Sequence, residues 1–324
     1  MIGDDTVVAP ACTAAVYGAS GFVGREVAVA LEGDGISVRP LRAPRLRCGA
    51  TTLAGVSNSV DSGVVDHLAR QILGVDVIVN AAGVLSGVRN QREVILGANA
   101  LLPACLAAAV AAIGGEVRFI HISSAAVQGG QPRLTARGPL RPYNTYSLAK
   151  ALGERSVTKY VRPETVSLRP GSVHGPRRAM THKVMAFARS PKAMTLAPGL
   201  APSPQVHVAN VAAAVCQLAS IRSTTPEVVL QPEEGFTTSG FLELMGGKAP
   251  RLAPPFLGPV VSWTRSATSS LAPRAAQQLR RIELLLRGQQ QERSWLTGAG
   301  FVPPFTHTDW EEMVRRVQVE GGAG

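Results

Sequence analysis

Tyr146 and Lys150, in Tyr146-Ser-Leu-Ala-Lys150, are four residues apart, so on a helix they share one face, a turn from each other. A phenol beside an ammonium is a proton-transfer pair. The cation favours the phenolate, whose unperturbed pKa of about 10 is too high for a base at neutral pH. Taken alone, this spacing also describes a solvated helix surface. Its meaning comes from what precedes it. Gly18-Ala-Ser20-Gly21-Phe22-Val23-Gly24 follows an apolar run ending in Val16-Tyr17 and leads into Val27, Val29, Ala30 and Leu31. Glycines between a strand and a helix expose backbone N–H groups at the helix start, where a pyrophosphate is favoured. Gly18 permits the tight turn, Gly21 the close approach of phosphates, and Gly24 the packing of helix on sheet. The rival reading is a strand-turn-helix with incidental glycines. Loop and pair together point to hydride transfer with a nicotinamide dinucleotide, Tyr146 moving the proton.

Such residues must be positioned by a parallel sheet with helices on both faces. Apolar runs predict strands at Thr13–Tyr17, Ile36–Leu41, Asp76–Asn80, Val117–Ile122, Thr165–Arg169 and Glu227–Leu230, with a further one near Thr52–Val56. Helical periodicity predicts helices at Val23–Leu31, Val65–Leu73, Glu93–Ile113, Tyr146–Tyr160, Met180–Arg189 and Val208–Ala219. The alternation defines an α/β, doubly wound Rossmann sheet with a smaller C-terminal substrate-binding lobe. Residues 1–175 and 208–230 are assigned to the dinucleotide-binding domain, and 176–207 and 231–324 to the lobe. A basic helix is expected near Arg274–Arg287.

The end of the second strand selects the cofactor. An acid there would bind a ribose 2′-hydroxyl, whereas arginine accommodates a 2′-phosphate. Here Val38-Arg39-Pro40-Leu41-Arg42 carries no acid and is followed by Arg45 and Arg47. Arg42 pairs well with phosphate, which favours NADP over NAD. The alternative is that these arginines simply face solvent.

Composition narrows the class. The chain has 324 residues, 45% of them hydrophobic but only 5% aromatic, so its core is built from Ala, Val, Leu and Ile. The four cysteines, Cys12, Cys48, Cys105 and Cys216, show no metal or redox spacing and read as buried thiols of a reducing, cytoplasmic compartment. No secretory signal is visible, since the first apolar run, Val7 to Tyr17, leads into the glycine loop. Ala98 to Ile113 is apolar but holds Asn99 and Pro103 and is short for a membrane span, so it reads as a buried helix. Net charge is +11, yet the arginines are scattered and not interleaved with aromatics, which argues against nucleic acid. His121 reads as a core histidine, and His67, His174, His182, His207 and His307 lack metal spacing.

In this order, the motifs resemble those of the extended short-chain dehydrogenase/reductase family, also called the NAD-dependent epimerase/dehydratase family. The resemblance runs from about Thr13 to Val215. It implies that Gly18 to Gly24 form the dinucleotide loop, that Asp61 meets the adenine, and that Ala81, Ala82 and Gly83, in Asp76-Val-Ile-Val-Asn-Ala-Ala-Gly83, line the nicotinamide ribose. Asn99 matches a family Asn near the active site. In Ile122-Ser-Ser-Ala-Ala-Val-Gln-Gly129 the catalytic hydroxyl is Ser124, with Ser123 an alternative. Tyr146 and Lys150 match the Tyr-x-x-x-Lys motif; Tyr143 is a rival for Tyr146 but lacks a lysine four residues on. Leu168-Arg-Pro-Gly-Ser-Val-His-Gly-Pro176 places Pro170 and Val173 at the cofactor and Ser172 at the substrate, and Val206-His-Val-Ala-Asn210 is a further landmark.

The chain also departs from that family. Ser172 stands where its sugar-nucleotide enzymes often have Asn, and Ser203 where they often have Arg, residues that handle a diphosphate; Arg177 and Arg178 are candidate substitutes. Gln128 and His174 replace common tyrosines, and Asn210 a common Asp. Ala125 and Ala126 leave no acid–base pair beside Ser124, which argues against a dehydratase.

The function expected is an NAD(P)-dependent oxidoreductase. In it Ser124 holds the substrate oxygen, Tyr146 exchanges its proton, and Lys150 supports the phenolate and reaches the nicotinamide ribose. The resemblance implies a nucleotide-sugar or deoxysugar intermediate, with a 4-ketoreductase or 4-epimerase both fitting, and a homodimer. A reductase of a non-sugar ketone and a non-catalytic dinucleotide-sensing protein are the alternatives.

Overall fold

The structure is a computed structural model and describes residues 12–85, 92–129, 131–160, 165–221, 224–257 and 283–322. In chain order it contains β1 (Thr13–Tyr17), α1 (Phe22–Gly33), β2 (Ser37–Leu41), α2 (Leu53–Asn58), α3 (Ser62–Gln71), β3 (Val77–Asn80), α4 (Arg92–Ile113), β4 (Arg118–Ile122), β5 (Arg133–Leu134) and α5 (Thr145–Tyr160). There follow β6 (Thr165–Arg169), β7 (Ser172–His174), α6 (Ala179–Arg189), β8 (Met194–Leu196), β9 (Gln205–His207), α7 (Val208–Ser220), β10 (Val228–Leu230), α8 (Thr238–Gly246), β11 (Arg251–Ala253), β12 (Gln290–Gln291), α9 (Trp295–Gly298) and α10 (His307–Gly322). Six strands form a parallel sheet in the order β10-β6-β4-β3-β1-β2, flanked by helices in the Rossmann manner. The expected six strands are these six, within a residue at each end.

Two compact units emerge: Met1–Ile122 with Leu152–Ser167 and Val215–Glu227, and Ser123–Ala151 with Leu168–Ala214 and Val228–Gly324. In the first, β1 pairs with β2 on one side (Thr13 beside Ser37) and β3 on the other (Ala14 beside Val77). The chain therefore reverses its winding at β1, the usual place for a ligand crevice. Ala14 to Tyr17, Ile78 and Val79 are fully buried, as continuous apolar runs in a two-sided parallel sheet must be. The Tyr17 hydroxyl donates to Gln71 Oε1 (3.1 Å), which ties the strand to α3.

One expectation needs correction here. The segment near Thr52–Val56 is not a strand but the start of α2: the Thr52 hydroxyl accepts the Gly55 amide (3.1 Å) as an N-cap, and Val56 is the buried residue of its short helix. The apolar helix expected at Glu93–Ile113 runs over Arg92–Ile113, and its apolar window is 78% buried, so it is a core helix as expected. Its ladder widens into a π-turn over Gly97–Leu101. Pro103 has no N–H for the Asn99 carbonyl four residues back, which explains the widening. Gly153 and Gly97 make room around the bulge: a Cβ at Gly153 would sit 2.2 Å from the Asn99 carbonyl oxygen, and one at Gly97 2.0 Å from that of Leu46.

The second unit has its own core, where Val184, Met185 and Ala188 of α6 meet Phe241, Leu242 and Met245 of α8 and Trp310, Met313, Val314 and Val317 of α10. Three two-stranded parallel ribbons accompany it, β7 with β9, β8 with β11, and β5 with β12. Of the basic helix expected near Arg274–Arg287, residues 283–287 are helical and the rest lies outside the described residues. Cys48, Cys105 and Cys216 are buried thiols as expected, whereas Cys12 is half-buried.

Candidate active site

The start of α5 is fixed by reciprocal caps. Asn144 Oδ1 accepts the Ser147 amide (2.8 Å), and Ser147 Oγ accepts the amides of Tyr143 (2.9 Å) and Asn144 (3.0 Å). This arrangement satisfies N–H groups that a helix start otherwise leaves unpaired, and it sets Tyr146 in the first turn. The Tyr146 phenol is hydrogen-bonded to the Ser124 hydroxyl. Ser124 Oγ accepts the Ala126 amide (3.2 Å), so its own hydrogen is left to donate to the phenolic oxygen. Ser123, the alternative hydroxyl, is only 4% exposed, and its amide donates to the Leu168 carbonyl (2.8 Å). Lys150 follows one turn after Tyr146 and is 5% exposed.

Burial raises the Tyr146 pKa, although the residue as a whole keeps some accessible surface; Ser124 and the positive charge of Arg178 pull it down, and Tyr143 pushes it up. Without a further cation the phenol therefore keeps its proton, which suits it to protonate an oxyanion. Arg178, a candidate substrate residue, places its positive charge near the Tyr146 phenol as well. Pro170 and Val173 are buried, and Ser172 is exposed. Gln128 holds the Thr135 amide through Oε1 (2.9 Å) and is buried, so it braces the loop after Ser124.

In the first unit, the glycines of the loop have different reasons. Gly18 has φ of +84°, and a Cβ there would sit 2.7 Å from the Ala82 amide nitrogen, so the loops after β1 and β3 touch backbone to backbone. At Gly24 a Cβ would lie 2.1 Å from the Gly18 carbonyl oxygen. Its constraint is thus contact with the loop itself, which corrects the expected packing on the sheet. Gly21 meets only that same oxygen, at 3.1 Å, and caps α1 without any side-chain cap. Ser20 and Gly21 are exposed, Phe22 and Val23 half-buried. An uncapped helix start behind a bare glycine fits a pyrophosphate.

The arginines after β2 separate into two sets. Arg39 donates to the carbonyls of Gln71 and Leu73 (both 3.1 Å), and Arg47 pairs with Glu93 (3.3 Å). Arg42 and Arg45 are exposed and make no such contact with the described residues. Asp61 is the N-cap of α3, its carboxylate accepting the Val64 amide (2.9 Å). Asn99 is fully buried in the π-turn; its Nδ2 donates to the Val84 and Ile95 carbonyls (2.9 Å each), and its Oδ1 has no partner among the described residues. Ala81 is half-buried, Ala82 buried and Gly83 exposed. His121 is a core residue, its Nδ1 3.2 Å from Asn80 Nδ2.

Sequence reasoning missed a polar ribbon in the second unit. Strands β7 and β9 pair Ser172 with Gln205 and His174 with His207, so the alternation puts all four on one face and Val173 and Val206 on the other. His174 Nε2 lies 2.9 Å from Gln205 Oε1 and 3.0 Å from Ser172 Oγ, and Gln205 Nε2 donates to Ser203 Oγ (3.0 Å). The two serines at which the chain departs from its resemblance are thus joined through His174 and Gln205. Burial depresses the pKa of His174 to about 4, and that of His207 likewise to about 4. His207 stacks on Phe305 (centroids 3.5 Å apart), and its Nδ1 accepts the Ala209 amide at the entry to α7. Glu234 beside it accepts from the His207 amide (2.9 Å), Asn210 Nδ2 (2.7 Å) and Trp310 Nε1 (2.6 Å). The repeated pattern Ser-Val-His and Gln-Val-His was the signal that could have revealed this ribbon.

The chain belongs to the NAD dependent epimerase/dehydratase family, which it matches over residues 14–229. It is 29% identical over 170 residues to a dTDP-6-deoxy-L-talose 4-dehydrogenase (NAD(P)(+)) of Kitasatospora kifunensis, covering 50% of this chain and 52% of that one. It is 30% identical over 174 residues to a 4-hydroxy-2-methyl-3-oxo-4-farnesyl-3,4-dihydroquinoline-1-oxide ketoreductase of Stigmatella aurantiaca, covering 49% and 50%. The chain therefore spans about half the length of the curated relatives it matches. Among solved structures, its fold is similar to a dTDP-4-dehydrorhamnose reductase of Bacillus anthracis in complex with NADP, with TM-score 0.60, 16% identity, and coverage of 96% and 99%.

Proposed function

We propose that this chain is an NAD(P)-dependent oxidoreductase that interconverts a secondary alcohol and a ketone. The observation that carries this reading is the hydrogen bond between Ser124 and Tyr146, with Lys150 one turn along the same helix. The nicotinamide cofactor, when bound, supplies or accepts the hydride. Gly18 to Gly24 are the residues that would hold its pyrophosphate, and Arg42, with Arg45, an adenosine 2′-phosphate, so NADP is preferred over NAD.

In reduction, Ser124 donates to the substrate oxygen as negative charge develops there, and Tyr146, which burial keeps protonated, delivers its proton to that oxygen. In oxidation both steps run backwards, and the positive charges of Arg178 and Lys150 support the phenolate that must first form. The family match, and the talose dehydrogenase among its relatives, support a nucleotide-sugar or deoxysugar intermediate as substrate, through 4-ketoreduction or 4-epimerisation. A second reading, a non-sugar ketone, is favoured by the uncharged Ser172–His174–Gln205–Ser203 chain and by the quinoline-oxide ketoreductase. We extend the proposal to a cytoplasmic homodimer, which light scattering checks. The test of function is oxidation of NADPH and NADH with a panel of 4-keto nucleotide sugars and uncharged ketones: the reading requires turnover that Tyr146→Phe removes, and cofactor binding without any turnover would promote a sensing role instead.

A further inference from the structure

We propose that one face of the second unit docks on an anionic lipid surface. Arg189, Lys192, Lys248 and Arg251 meet the lipid phosphates there, and Leu200, Leu252 and Phe256 enter the boundary between headgroups and acyl chains. This contact is peripheral, separate from the buried helix α4, and does not depend on the reaction assigned to Tyr146.

Two backbone contacts gather the cations. A Cβ at Gly246, the last residue of α8, would lie 2.6 Å from the Ala188 carbonyl oxygen of α6, so the chain leaves α8 toward Lys248 beside Arg189. The Arg251 amide donates to the Ala193 carbonyl (2.9 Å), which sets Arg251 next to Lys192 at the start of the β8–β11 ribbon. All four side chains are exposed, and none is paired with an acid among the described residues. The surrounding sequence is free of acids as well, since residues 165–226 and 244–257 hold no Asp or Glu. Glu243 stands on α8 just before the second of these runs. Glu283 precedes Leu286, whose carbonyl takes the Thr195 hydroxyl (2.9 Å), but it is buried and faces Arg287 at 3.8 Å.

The same ribbon carries the apolar part. Leu252 follows Arg251 and pairs with Thr195, and a Cβ at Gly199 would lie 3.3 Å from Leu252 Cδ2, so Leu200 comes next to it. Phe256 lies just past the ribbon, in a turn closed by the Leu257 amide on the Pro254 carbonyl (3.1 Å). Leu200 is 68% exposed, Leu252 56% and Phe256 68%, among the highest values for large apolar side chains in the described residues. With a rise of about 3.3 Å per residue, the ribbon keeps cations and apolar tips within roughly 15 Å of each other. Basic side chains bordering exposed aliphatic and aromatic ones match a surface that presents phosphate beside hydrocarbon. A protein partner would need about 800 Å² of fitted surface on each side, far more than three projecting side chains.

Cosedimentation of the full chain with sucrose-loaded vesicles tests this. Vesicles of equal parts phosphatidylglycerol and phosphatidylcholine should bind it about tenfold or more tightly than phosphatidylcholine alone, and the difference should shrink as salt rises. Lys248→Glu with Arg251→Glu should remove the binding. The same change of net charge in the first unit, Arg70→Glu with Arg155→Glu, should leave most of it. Leu252→Ser with Phe256→Ser should weaken binding about tenfold or more at an unchanged melting midpoint. Absence of binding to the mixed vesicles, equal loss from both charge reversals, or full binding by the serine variant overturns the proposal. A smaller particle in light scattering of Phe256→Ser without vesicles also overturns it, because the face would then belong to a second copy of the chain.

Discussion

The Tyr146 phenol and the Ser124 hydroxyl are hydrogen-bonded, and Ser124 Oγ accepts the Ala126 amide at 3.2 Å, so the serine is turned toward the phenol by its own backbone. Tyr146→Phe removes the proton carrier and should lower kcat about 10²–10⁴-fold while leaving NADPH affinity within a factor of two or so. Ser124→Ala should cost about 10²–10³-fold through the lost donor to the developing oxyanion. Steady-state kinetics beside fluorescence titration of NADPH checks both.

The loop glycines should separate folding from binding. Gly24→Ala forces a Cβ to within 2.1 Å of the Gly18 carbonyl oxygen, and Gly18→Ala collides with Ala82 at a φ of +84°. Each should destabilise by about 1–3 kcal/mol, read as a lower denaturant midpoint. Gly21→Ala meets only one oxygen at 3.1 Å and should leave the midpoint nearly unchanged while weakening cofactor binding several-fold.

Arg39 and Arg47 are occupied by Gln71, Leu73 and Glu93, which leaves Arg42 and Arg45 for a 2′-phosphate. Arg42→Ala should weaken NADPH about tenfold or more and leave NADH unaffected, since a charged hydrogen bond is worth about 1.5–3 kcal/mol. Equal loss for both cofactors would place the arginine elsewhere.

Stability should depend on acid in a defined window. His174 and His207 have pKa values of about 4 in the folded chain, against 6.5 for the ordinary side chain. Between these values the unfolded chain binds protons that the folded chain refuses, so stability is fully present above the ordinary value and falls as pH drops toward 4. Each histidine contributes on the order of 3 kcal/mol to that loss. Glu234, whose pKa burial raises, opposes part of it by taking up a proton earlier in the folded state. Urea unfolding at a series of pH values should show the slope, and His207→Phe, which keeps a ring against Phe305, should flatten it.

Much of the fold was legible because its signals are local. Each strand of the central sheet is a continuous apolar run, and Tyr146 and Lys150 fall on one face whatever surrounds them. What was illegible depends on pairing across long separations. Thr52 looks like a strand residue until its hydroxyl takes the Gly55 amide. Only the repeat of Ser-Val-His in Gln-Val-His hints that Gln205 lies beside Ser172, and Glu234 finds its three donors on Asn210, on the His207 backbone and on Trp310, residues spread over the second half of the chain. The roles of Gly18 and Gly24 were read in the right place, but the reason for Gly24 lay in the loop's own backbone.

A Tyr146 that carries the proton must ionise in response to a bound, positively charged nicotinamide. The ultraviolet difference spectrum of tyrosinate, followed against pH with and without NADP⁺ and compared with Tyr146→Phe, measures this without any substrate. One tyrosine should titrate above the ordinary range in the free protein, because burial raises it, and should titrate at lower pH when NADP⁺ binds. A titration identical with and without the oxidised cofactor, or one unchanged by Tyr146→Phe, would contradict it.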